Sequence, residues 1–432
     1  MPLTCLGKSL LFNAENKLLL SCISFDKDIN PPQRIPKILL ERKLDWHYIL
    51  RNAHQNRITP FLYSNLIEVD GERLVPNWVT QALAQTYHYV GFQNLRFYEE
   101  LKNILLYFKN LEIDVIVLKG AALAEIIWGN VALRQMEDID LLVQEHDLEK
   151  VDRLLCKLGY ILDEGYKSKE WYRNNHHHLA PYYKPDKGVV IEIHRNIVSP
   201  NKLFNIDIGK MWERAQSIRI DGIDTKILGP EDFIIHLCLH ISYCDLFIGK
   251  IRNLIDLSQT IRYYGERINW DWITKEANEK KFTKFIYYPL YLARNILNAR
   301  IEREILDRFR DNFNLELFED LLLKLIIKKN ILLKDESSSV FPPWLLGNLC
   351  KDLIYHDHTC NRMKSLFMDL FLPPTRSGIN VSSPSIPVRV YFYYCFTQFF
   401  KFIMRFIRII GKVTLHKMGA NFEKNSNIEK ET

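Results

Sequence analysis

The sequence has no segment that is long and apolar enough to be expected to cross a bilayer. The uncharged run in its last aromatic-rich segment covers only residues 390–400, whereas a spanning helix needs about 20 apolar residues. Glu15 and Lys17 interrupt the apolar N-terminal segment, so the sequence predicts no secretory signal. The eight cysteines form no Cys-x-x-Cys pair, and a chain of 432 residues is large enough to fold without disulfides. These absences indicate a cytoplasmic globular protein with reduced thiols.

Two common nucleotide-binding motifs are also missing. No Gly-x-Gly-x-x-Gly occurs, so a Rossmann site has no support, and Gly7-Lys-Ser9 is not a P-loop because Pro2 stands where its first glycine belongs. Excess positive charge is scarce outside the C-terminus: the net charge is +6, and residues 386–432 carry eight Lys and Arg against three Glu. A basic groove across the rest of the chain is not indicated, and we expect no nucleic-acid partner.

What the sequence does contain is a pair of acids inside an apolar strand pattern. In residues 137–143, Asp138 and Asp140 project to one face of a predicted strand, and the apolar residues that alternate with them project to the other. Like charges this close are costly unless a cation neutralises them, and carboxylate oxygens are good ligands for divalent metal. An Asp-x-Asp sequence alone is also common in solvated turns, so the apolar alternation around it carries the prediction.

A third acid lies on a later predicted strand. In residues 188–194 the apolar side chains share one face, and Glu192 and His194 share the other. If this strand neighbours the first, Asp138, Asp140 and Glu192 can hold two Mg²⁺ ions, which clamp a nucleoside triphosphate and offset charge on the leaving pyrophosphate. Nucleotidyl transfer is the reaction that such an arrangement suits.

These motifs resemble those of nucleotidyltransferases of the DNA polymerase beta superfamily. The chain is most similar to a bacterial branch of unassigned substrate, which shares the Lys-Gly start, the Arg before Asp-x-Asp, the Glu-x-His strand and a long helical C-terminal half. The resemblance covers roughly residues 40 to 410, with its specific motifs between Lys119 and His194. It implies an α+β fold, with a mixed sheet and flanking helices, N-terminal helices before it and an all-helical C-terminal lobe after it.

The resemblance also implies roles for individual residues. Asp138, Asp140 and Glu192 would be the catalytic residues and the metal ligands, and Glu192 would also promote deprotonation of the acceptor hydroxyl. Ala121 departs from the family pattern, which has a second Gly or Ser there, so no hydroxyl is offered to a phosphate. Gly120 would instead allow close approach of the triphosphate to backbone N–H groups.

Two basic residues would complete the nucleotide site. The resemblance implies that Lys119 and Arg134 hold the triphosphate, Arg134 with a fork that matches phosphate oxygens. Each has a simpler alternative. Arg134 can pair with Glu137 or Asp138 and close the loop, and a lysine at a strand end is commonly just exposed.

Histidines cluster twice in the sequence, and we expect neither cluster to bind a metal. His176, His177 and His178 are adjacent, and three neighbouring side chains cannot all face one ion in a regular segment. His236 and His240 are four residues apart on a predicted helix, but Leu237 stands where a zinc protease needs Glu.

Other polar residues are expected near the acids. His178 and His194 adjoin the strand of Glu192, and proton transfer by His194 is a minor hypothesis. Arg252 and Asp256, like His240, recur in the family that the motifs resemble. Packing of helices against the site is the role we favour for them.

Apolar spacing divides the chain into five predicted parts. These are a peripheral lead-in (1–37), an N-terminal helical segment (38–110), the α/β core (111–228), a helical C-terminal lobe (229–414) and a disordered tail (415–432). In the core the pattern predicts strands at 113–118, 138–143, 159–163, 177–184 and 188–194, helices at 120–128 and 146–158, and a hairpin across Asp221-Gly222. Pro230, followed by two acids, predicts a helix start.

The sequence as a whole predicts a Mg²⁺-dependent nucleotidyltransferase that moves a nucleoside monophosphate from an NTP to an unidentified acceptor hydroxyl. The acceptor can be a small molecule or a protein side chain. The alternative is a non-catalytic protein of this fold that docks a partner or a membrane surface through its helical lobe. A cationic, aromatic-rich helix at 388–413 suits either peripheral contact with the inner membrane face or packing on the lobe.

Overall fold

A seven-stranded mixed sheet with helices around it makes this an α+β protein, as predicted. The computed structural model describes residues 13–24, 35, 38–39, 43–69, 74–162, 167–200, 203–247 and 251–310. The predicted cationic helix at 388–413 and the predicted tail at 415–432 lie outside these residues, as does the part of the C-terminal lobe after residue 310. The five-part division of the chain stays a prediction.

The strands of the sheet come from the segment in which strand patterns were predicted. They are β1 (Val115–Val117), β2 (Ile139–Val143), β3 (Ile161–Leu162), β4 (Tyr182–Lys184), β5 (Val189–His194), β6 (Gln216–Ile220) and β7 (Ile223–Ile227). Their order across the sheet is β3-β4-β5-β2-β1-β7-β6. The strand β2 pairs antiparallel with β1 and parallel with β5, which places the two acid-bearing strands side by side.

Thirteen α-helices are found within the described residues. They are α1 (Ala14–Ile23), α2 (Trp46–Gln55), α3 (Thr59–Val69), α4 (Asn77–Asn110), α5 (Lys119–Leu123), α6 (Leu148–Lys157), α7 (Lys169–Asn175), α8 (Ile208–Arg214), α9 (Pro230–Leu239), α10 (Ile251–Tyr264), α11 (Trp270–Glu279), α12 (Thr283–Leu297) and α13 (Arg303–Arg310). Single π-helical turns extend α5 at Ala124–Trp128 and α9 at His240–Cys244, and 3₁₀ turns lie at Glu145–Asp147 and Gly265–Arg267. No described helix is both long and apolar enough to cross a membrane.

Local sequence explains most of these boundaries. Pro230 occupies the first turn of α9, where a missing N–H costs nothing, and two acids follow it near the positive end of the helix dipole. The predicted hairpin joins β6 and β7 through Asp221 and Gly222, with φ angles of +44° and +81°. Both are left-handed, as a two-residue hairpin turn requires, and Asp and Gly tolerate that conformation.

Two strand predictions need correction. The predicted strand at 177–184 is regular only from Tyr182, and His178 makes an isolated bridge to His194 before it. In β2 we expected one buried face, but all five residues are buried, including Leu142 on the face of Asp140. The reason is that β2 lies inside the sheet, between β5 and β1, where both faces of a strand can be buried.

Candidate active site

Two of the predicted acids lie directly opposite each other on neighbouring strands. In the parallel pairing of β2 and β5, Asp140 is the register partner of Glu192, and Leu142 is the partner of His194. Register partners project to the same face of a sheet. Asp140, Glu192 and His194 each place one ligand atom within 4.8 Å of the others.

Asp138 lies just before β2 and faces the same cavity, outside that closest group of three. Burial, followed by the negative charge of Asp140, raises the pKa of Asp138 to about 7. The positive charge of Lys119 opposes this rise without cancelling it. The two aspartates therefore repel each other, as the sequence indicated for an Asp-x-Asp pair.

Asp140 is the better neutralised of the two. His194 donates from Nε2 to its Oδ1 at 2.8 Å, and Lys119 Nζ lies 3.2 Å from the same oxygen. Burial alone would raise the pKa of Asp140, but the charge of Lys119 and the hydrogen bond from His194 hold it well below its usual value. Similarly, burial would raise the pKa of Glu192, and the hydrogen bond with His194 lowers it.

The turn between β1 and α5 brings Lys119 to Asp140. The backbone N–H of Leu118 donates to the carbonyl oxygen of Asp140 at 3.0 Å, so the end of β1 stays attached to β2. Lys119 follows with a φ of +33°, in the left-handed region that a residue with a Cβ seldom adopts. Such a residue costs about 1–3 kcal/mol and is found most often at functional sites. Burial would lower the pKa of Lys119, but the charges of Asp140, Asp138 and Glu192 raise it, and the ammonium stays protonated.

Arg134 lines the cavity, but its guanidinium is committed to a carboxylate on a distant helix. Its Nε and Nη2 donate to Oδ1 and Oδ2 of Asp256 on α10, at 3.0 and 2.7 Å. The alternatives foreseen from sequence, pairing with Glu137 or Asp138, are therefore wrong about the partner. Glu137 pairs instead with Arg57 at 2.8 Å and with Arg252 at 3.4 Å.

Gly120 has a local reason in addition to the one that the sequence suggested. A Cβ built at this position would lie 3.0 Å from Nη1 of Arg134. A larger residue would push the guanidinium by a few tenths of an ångström, and the pair with Asp256 opposes that shift. Gly120 thus allows the close approach of Arg134, and it also lines the cavity.

The loop that carries Arg134 to Asp138 is fixed from two sides. Asn94 on α4 donates from Nδ2 to the carbonyl oxygen of Arg134 at 2.7 Å and accepts from the N–H of Met136 at 3.1 Å. From α10, Arg252 donates to the carbonyl oxygen of Gln135 at 2.8 Å. These contacts attach the start of β2 to both the N-terminal helices and the C-terminal lobe.

All six predicted site residues line one cavity of about 450 Å³. The sheet side and the loop before β2 contribute Lys119, Gly120, Arg134, Asp138, Asp140 and Glu192. The helical wall belongs to α9, α10 and residues 240–245 after α9, and its residues are Leu237, His240, Cys244, Asp245, Arg252, Asn253 and Asp256. On that wall His240 Nδ1 lies 3.3 Å from Asp245 Oδ2, and Asn253 donates to the same oxygen at 2.7 Å.

The helical wall was the part of the site that sequence reasoning largely missed. Asp245 and Asn253 were not singled out, and His240 and Arg252 were assigned to packing. The signal was weak because His240 and Cys244 lie in a π-helical turn, which has no simple sequence period. His236, one turn before His240, is fully buried and does not line the cavity.

The three adjacent histidines also line the cavity, and His178 was expected near the acids. His176 ends α7 in an extended conformation, and His178 forms the isolated bridge to His194. One ring nitrogen of each of His176, His177 and His178 lies within 4.8 Å of the other two. The expectation that three adjacent side chains cannot all face one ion assumed a regular helix or strand, and this segment is neither.

Among the comparisons with known proteins, a family model identifies the family. No curated protein matches the chain. A crystal structure of an antigenic nucleotidyltransferase-like protein from Paracoccidioides brasiliensis is 15% identical and covers 51% of this chain and 95% of that one. Its TM-score is 0.24. The family model described as "Uncharacterised nucleotidyltransferase" matches residues 42–298, which is more than half of the sequence. The chain therefore belongs to this nucleotidyltransferase family.

Proposed function

We propose that the protein is a metal-dependent nucleotidyltransferase, which moves a nucleoside monophosphate from an NTP to an acceptor hydroxyl. The observation that carries this proposal is the register of β2 and β5, which sets Asp140 beside Glu192. Both acids face a cavity of about 450 Å³, within the range of about 300–1,000 Å³ found for small-molecule sites. Asp138 and the basic residues Lys119 and Arg134 face the same space.

The donor set fits Mg²⁺. Asp138, Asp140 and Glu192 offer carboxylate oxygens, the ligands that a hard divalent cation prefers. His194 donates to Asp140, and its Nε2 lies 3.5 Å from Glu192, so this imidazole holds both carboxylates in orientation. Bound Mg²⁺ would offset charge on the phosphates and lower the pKa of the acceptor hydroxyl.

Lys119 has a role in nucleotide binding that follows from its contacts. It makes a single ion pair at 3.2 Å with Asp140, whose carboxylate also accepts from His194. When metal neutralises Asp140, the ammonium is free to turn to a phosphate oxygen. Arg134 would act mainly through the electric field of its positive charge, because two of its N–H groups already donate to Asp256.

The chemical step needs one base and an in-line geometry. Glu192 accepts the proton of the acceptor hydroxyl, the acceptor oxygen forms a bond to the α-phosphorus, and the bond from that phosphorus to the bridging oxygen breaks. Pyrophosphate leaves from the opposite side. Positioning and charge neutralisation provide most of the catalysis in such reactions. The polar residues His240, Asp245 and Asn253 line the same cavity and suit a polar acceptor.

The proposal is tested by thermal unfolding with each of the four nucleoside triphosphates, with and without Mg²⁺. At a ligand concentration of about 100 Kd, binding stabilises the folded state by about 2.7 kcal/mol. We expect one or more nucleotides to raise the melting temperature only with Mg²⁺, and Asp140→Asn to lose that increase. Asp224→Asn, at an exposed pair on the hairpin, is the control and should keep it. No increase in the wild type, or an equal one in Asp140→Asn, would refute the proposal.

The acceptor class needs a separate experiment. If the acceptor is a protein hydroxyl, co-purified proteins gain the mass of one nucleoside monophosphate after incubation with NTP and Mg²⁺. Intact-mass spectrometry measures this directly, with Asp140→Asn as the inactive control. A small-molecule acceptor leaves protein masses unchanged while label from the α-phosphate appears in a metabolite extract. A non-catalytic docking protein shows neither product.

A further inference from the structure

The three adjacent histidines form a compact group of imidazoles beside the carboxylate site. Ring centroids are 4.3 Å apart for His176 and His177, 4.1 Å for His176 and His178, and 4.9 Å for His177 and His178. One nitrogen from each ring lies within 4.8 Å of the others. His177 and His178 are buried and His176 is half-buried, so the group lies in the cavity wall.

Hydrogen bonds fix how one of these rings presents its lone pair. His178 Nδ1 lies 2.6 Å from the carbonyl oxygen of Leu179, which can only accept, so the proton is on Nδ1. The Nε2 atom of neutral His178 therefore carries a lone pair. It lies 3.5 Å from Oε2 of Glu192, an atom that also lacks a proton when the carboxylate is ionised. A donor N–H to a backbone carbonyl, with the other nitrogen turned to the metal, is the usual arrangement of a metal-bound histidine.

Ordinary packing leaves part of the group unexplained. The Nδ1 atom of His176 is buried and has no hydrogen-bond partner among the described residues. The Nδ1 atom of His177 lies 3.0 Å from the hydroxyl of Ser199, which can be either donor or acceptor. A buried imidazole nitrogen without a hydrogen-bond partner is a candidate metal ligand.

We propose that His176, His177 and His178 bind a borderline divalent cation such as Zn²⁺, at a site next to the Mg²⁺ site of the carboxylates and within reach of the same Glu192. Zn–N bonds of about 2.0–2.1 Å in a tetrahedron set ligand nitrogens roughly 3.3 Å apart. The present nitrogen separations are up to 4.8 Å, so binding requires the rings to move closer together. Glu192 is the nearest carboxylate to His178, and it completes a four-ligand set.

Ligand chemistry separates the two sites. Imidazole nitrogens favour Zn²⁺, Ni²⁺ and Co²⁺, and carboxylate oxygens favour Mg²⁺. If Glu192 turns to the imidazole site, it is withdrawn from the carboxylates of β2. A Zn²⁺ ion held by the histidines would then lower Mg²⁺-dependent activity by removing Glu192 from its partner Asp140.

Direct binding of metal tests this proposal without any assay of activity. Protein without an affinity tag is stripped with chelator and titrated with Co²⁺, whose visible absorbance is intense in tetrahedral sites and faint in octahedral ones. Zn²⁺ then displaces Co²⁺ and gives the relative affinity. We expect one Co²⁺ per chain with an intense band, which Zn²⁺ bleaches and a large excess of Mg²⁺ does not.

Three variants assign the ion to the histidines. His176→Asn and His177→Asn should each weaken Co²⁺ binding by at least about tenfold, a loss typical even of outer-shell changes at metal sites. His54→Asn, at an exposed histidine of α2, is the matched control and should leave it unchanged. Circular dichroism checks that each variant is folded.

Asp138→Asn distinguishes this proposal from the proposed function. It alters the carboxylate site and leaves the three imidazoles in place, so the intense Co²⁺ band should persist. Loss of the band in Asp138→Asn would overturn the proposal, as would its absence in the wild type or its retention in both histidine variants. Failure of nucleotides to stabilise the protein would leave this result untouched.

Discussion

Two buried cation–carboxylate pairs line the cavity, and they differ in how many contacts the cation makes with its carboxylate. Arg134 and Asp256 make two parallel hydrogen bonds, with side chains only 5% and 3% exposed. Lys119 makes one contact with Asp140, and the lysine side chain is 14% exposed. Both cations were predicted to hold triphosphate. The comparison indicates that one is a structural clamp and the other a movable charge.

The difference follows from the chemistry of the two side chains. A planar guanidinium and a carboxylate form a fork of fixed geometry, which is difficult to leave when both groups are desolvated. An ammonium on a flexible stem is a point charge that can exchange one oxygen for another. Arg134 therefore joins the loop before β2 to α10. Lys119 can move to another oxygen when the charge of Asp140 is neutralised.

The largest expected effect comes from breaking the clamp. Asp256→Ala leaves the Arg134 charge buried without a partner, and such a loss costs about 3–5 kcal/mol in the free energy of unfolding. Asp224→Ala removes the acid of an exposed pair with Arg219 and should cost at most about 1 kcal/mol. Urea denaturation of both variants measures the difference. Equal costs would show that the pair with Arg134 is no clamp.

Replacing both members of the clamp sharpens the result. In the variant with Arg134→Met and Asp256→Leu, no buried charge is left over, and stability should recover most of the loss. If the double variant is as unstable as Asp256→Ala, the cost arises from lost packing and not from an unpaired charge.

The next largest effect is on turnover. Asp140→Asn removes a metal ligand from the proposed site, and nucleotidyl transfer should fall by about 10²–10³-fold or more, as when other groups that stabilise a transition state are lost. Release of labelled pyrophosphate in a bacterial extract measures it. The fold should remain, because Lys119 still has Asp138 and Glu192 nearby. Wild-type turnover in a folded Asp140→Asn protein would count against the assignment.

Lys119 should affect the nucleotide more than the fold. A hydrogen bond to a charged group is worth about 1.5–3 kcal/mol, so Lys119→Met should weaken Mg²⁺-dependent NTP binding by roughly 10- to 100-fold. Lys119→Arg keeps the charge and should lose less. Calorimetric titration with a non-hydrolysable NTP compares them. If Lys119→Met binds NTP as tightly as the wild type does, Lys119 only neutralises Asp140 and has no role in nucleotide binding.

The smallest expected effect tests the contact between Gly120 and Arg134. Gly120→Ala places a Cβ 3.0 Å from Nη1 of the clamped guanidinium, and such overpacking should destabilise the protein by about 1–3 kcal/mol. Gly209→Ala in α8 meets its nearest atom only at 3.4 Å and should stabilise by up to about 1 kcal/mol. Thermal unfolding gives the sign of each change. Stabilisation by both changes would show that the Arg134 side chain moves aside easily.

Local patterns were enough to predict the sheet and its acids. Alternation of apolar residues marked β2 and β5, and Asp221-Gly222 marked the hairpin, because these features depend on neighbouring residues. The partner of Arg134 was beyond such reasoning, since Asp256 is 122 residues away and belongs to another element.

Irregular backbone hid the remaining features of the site. The left-handed φ of Lys119 and the bend that gathers His176 to His178 have no periodic signal in the sequence. The burial of Leu142 was also missed, because a strand pattern does not show how many layers cover it. Each of these features depends on contacts between residues that are distant in the sequence.

The most direct measurement of the central claim is a count of divalent ions at the carboxylate site. Mn²⁺ substitutes for Mg²⁺, and electron paramagnetic resonance reports how much Mn²⁺ stays free during a titration. With a non-hydrolysable NTP present, we expect the wild type to bind two Mn²⁺ ions and Asp140→Asn to bind fewer. Equal binding by Asp140→Asn and the wild type, or no binding by either, would contradict the claim that Asp138, Asp140 and Glu192 form a metal-dependent nucleotide site.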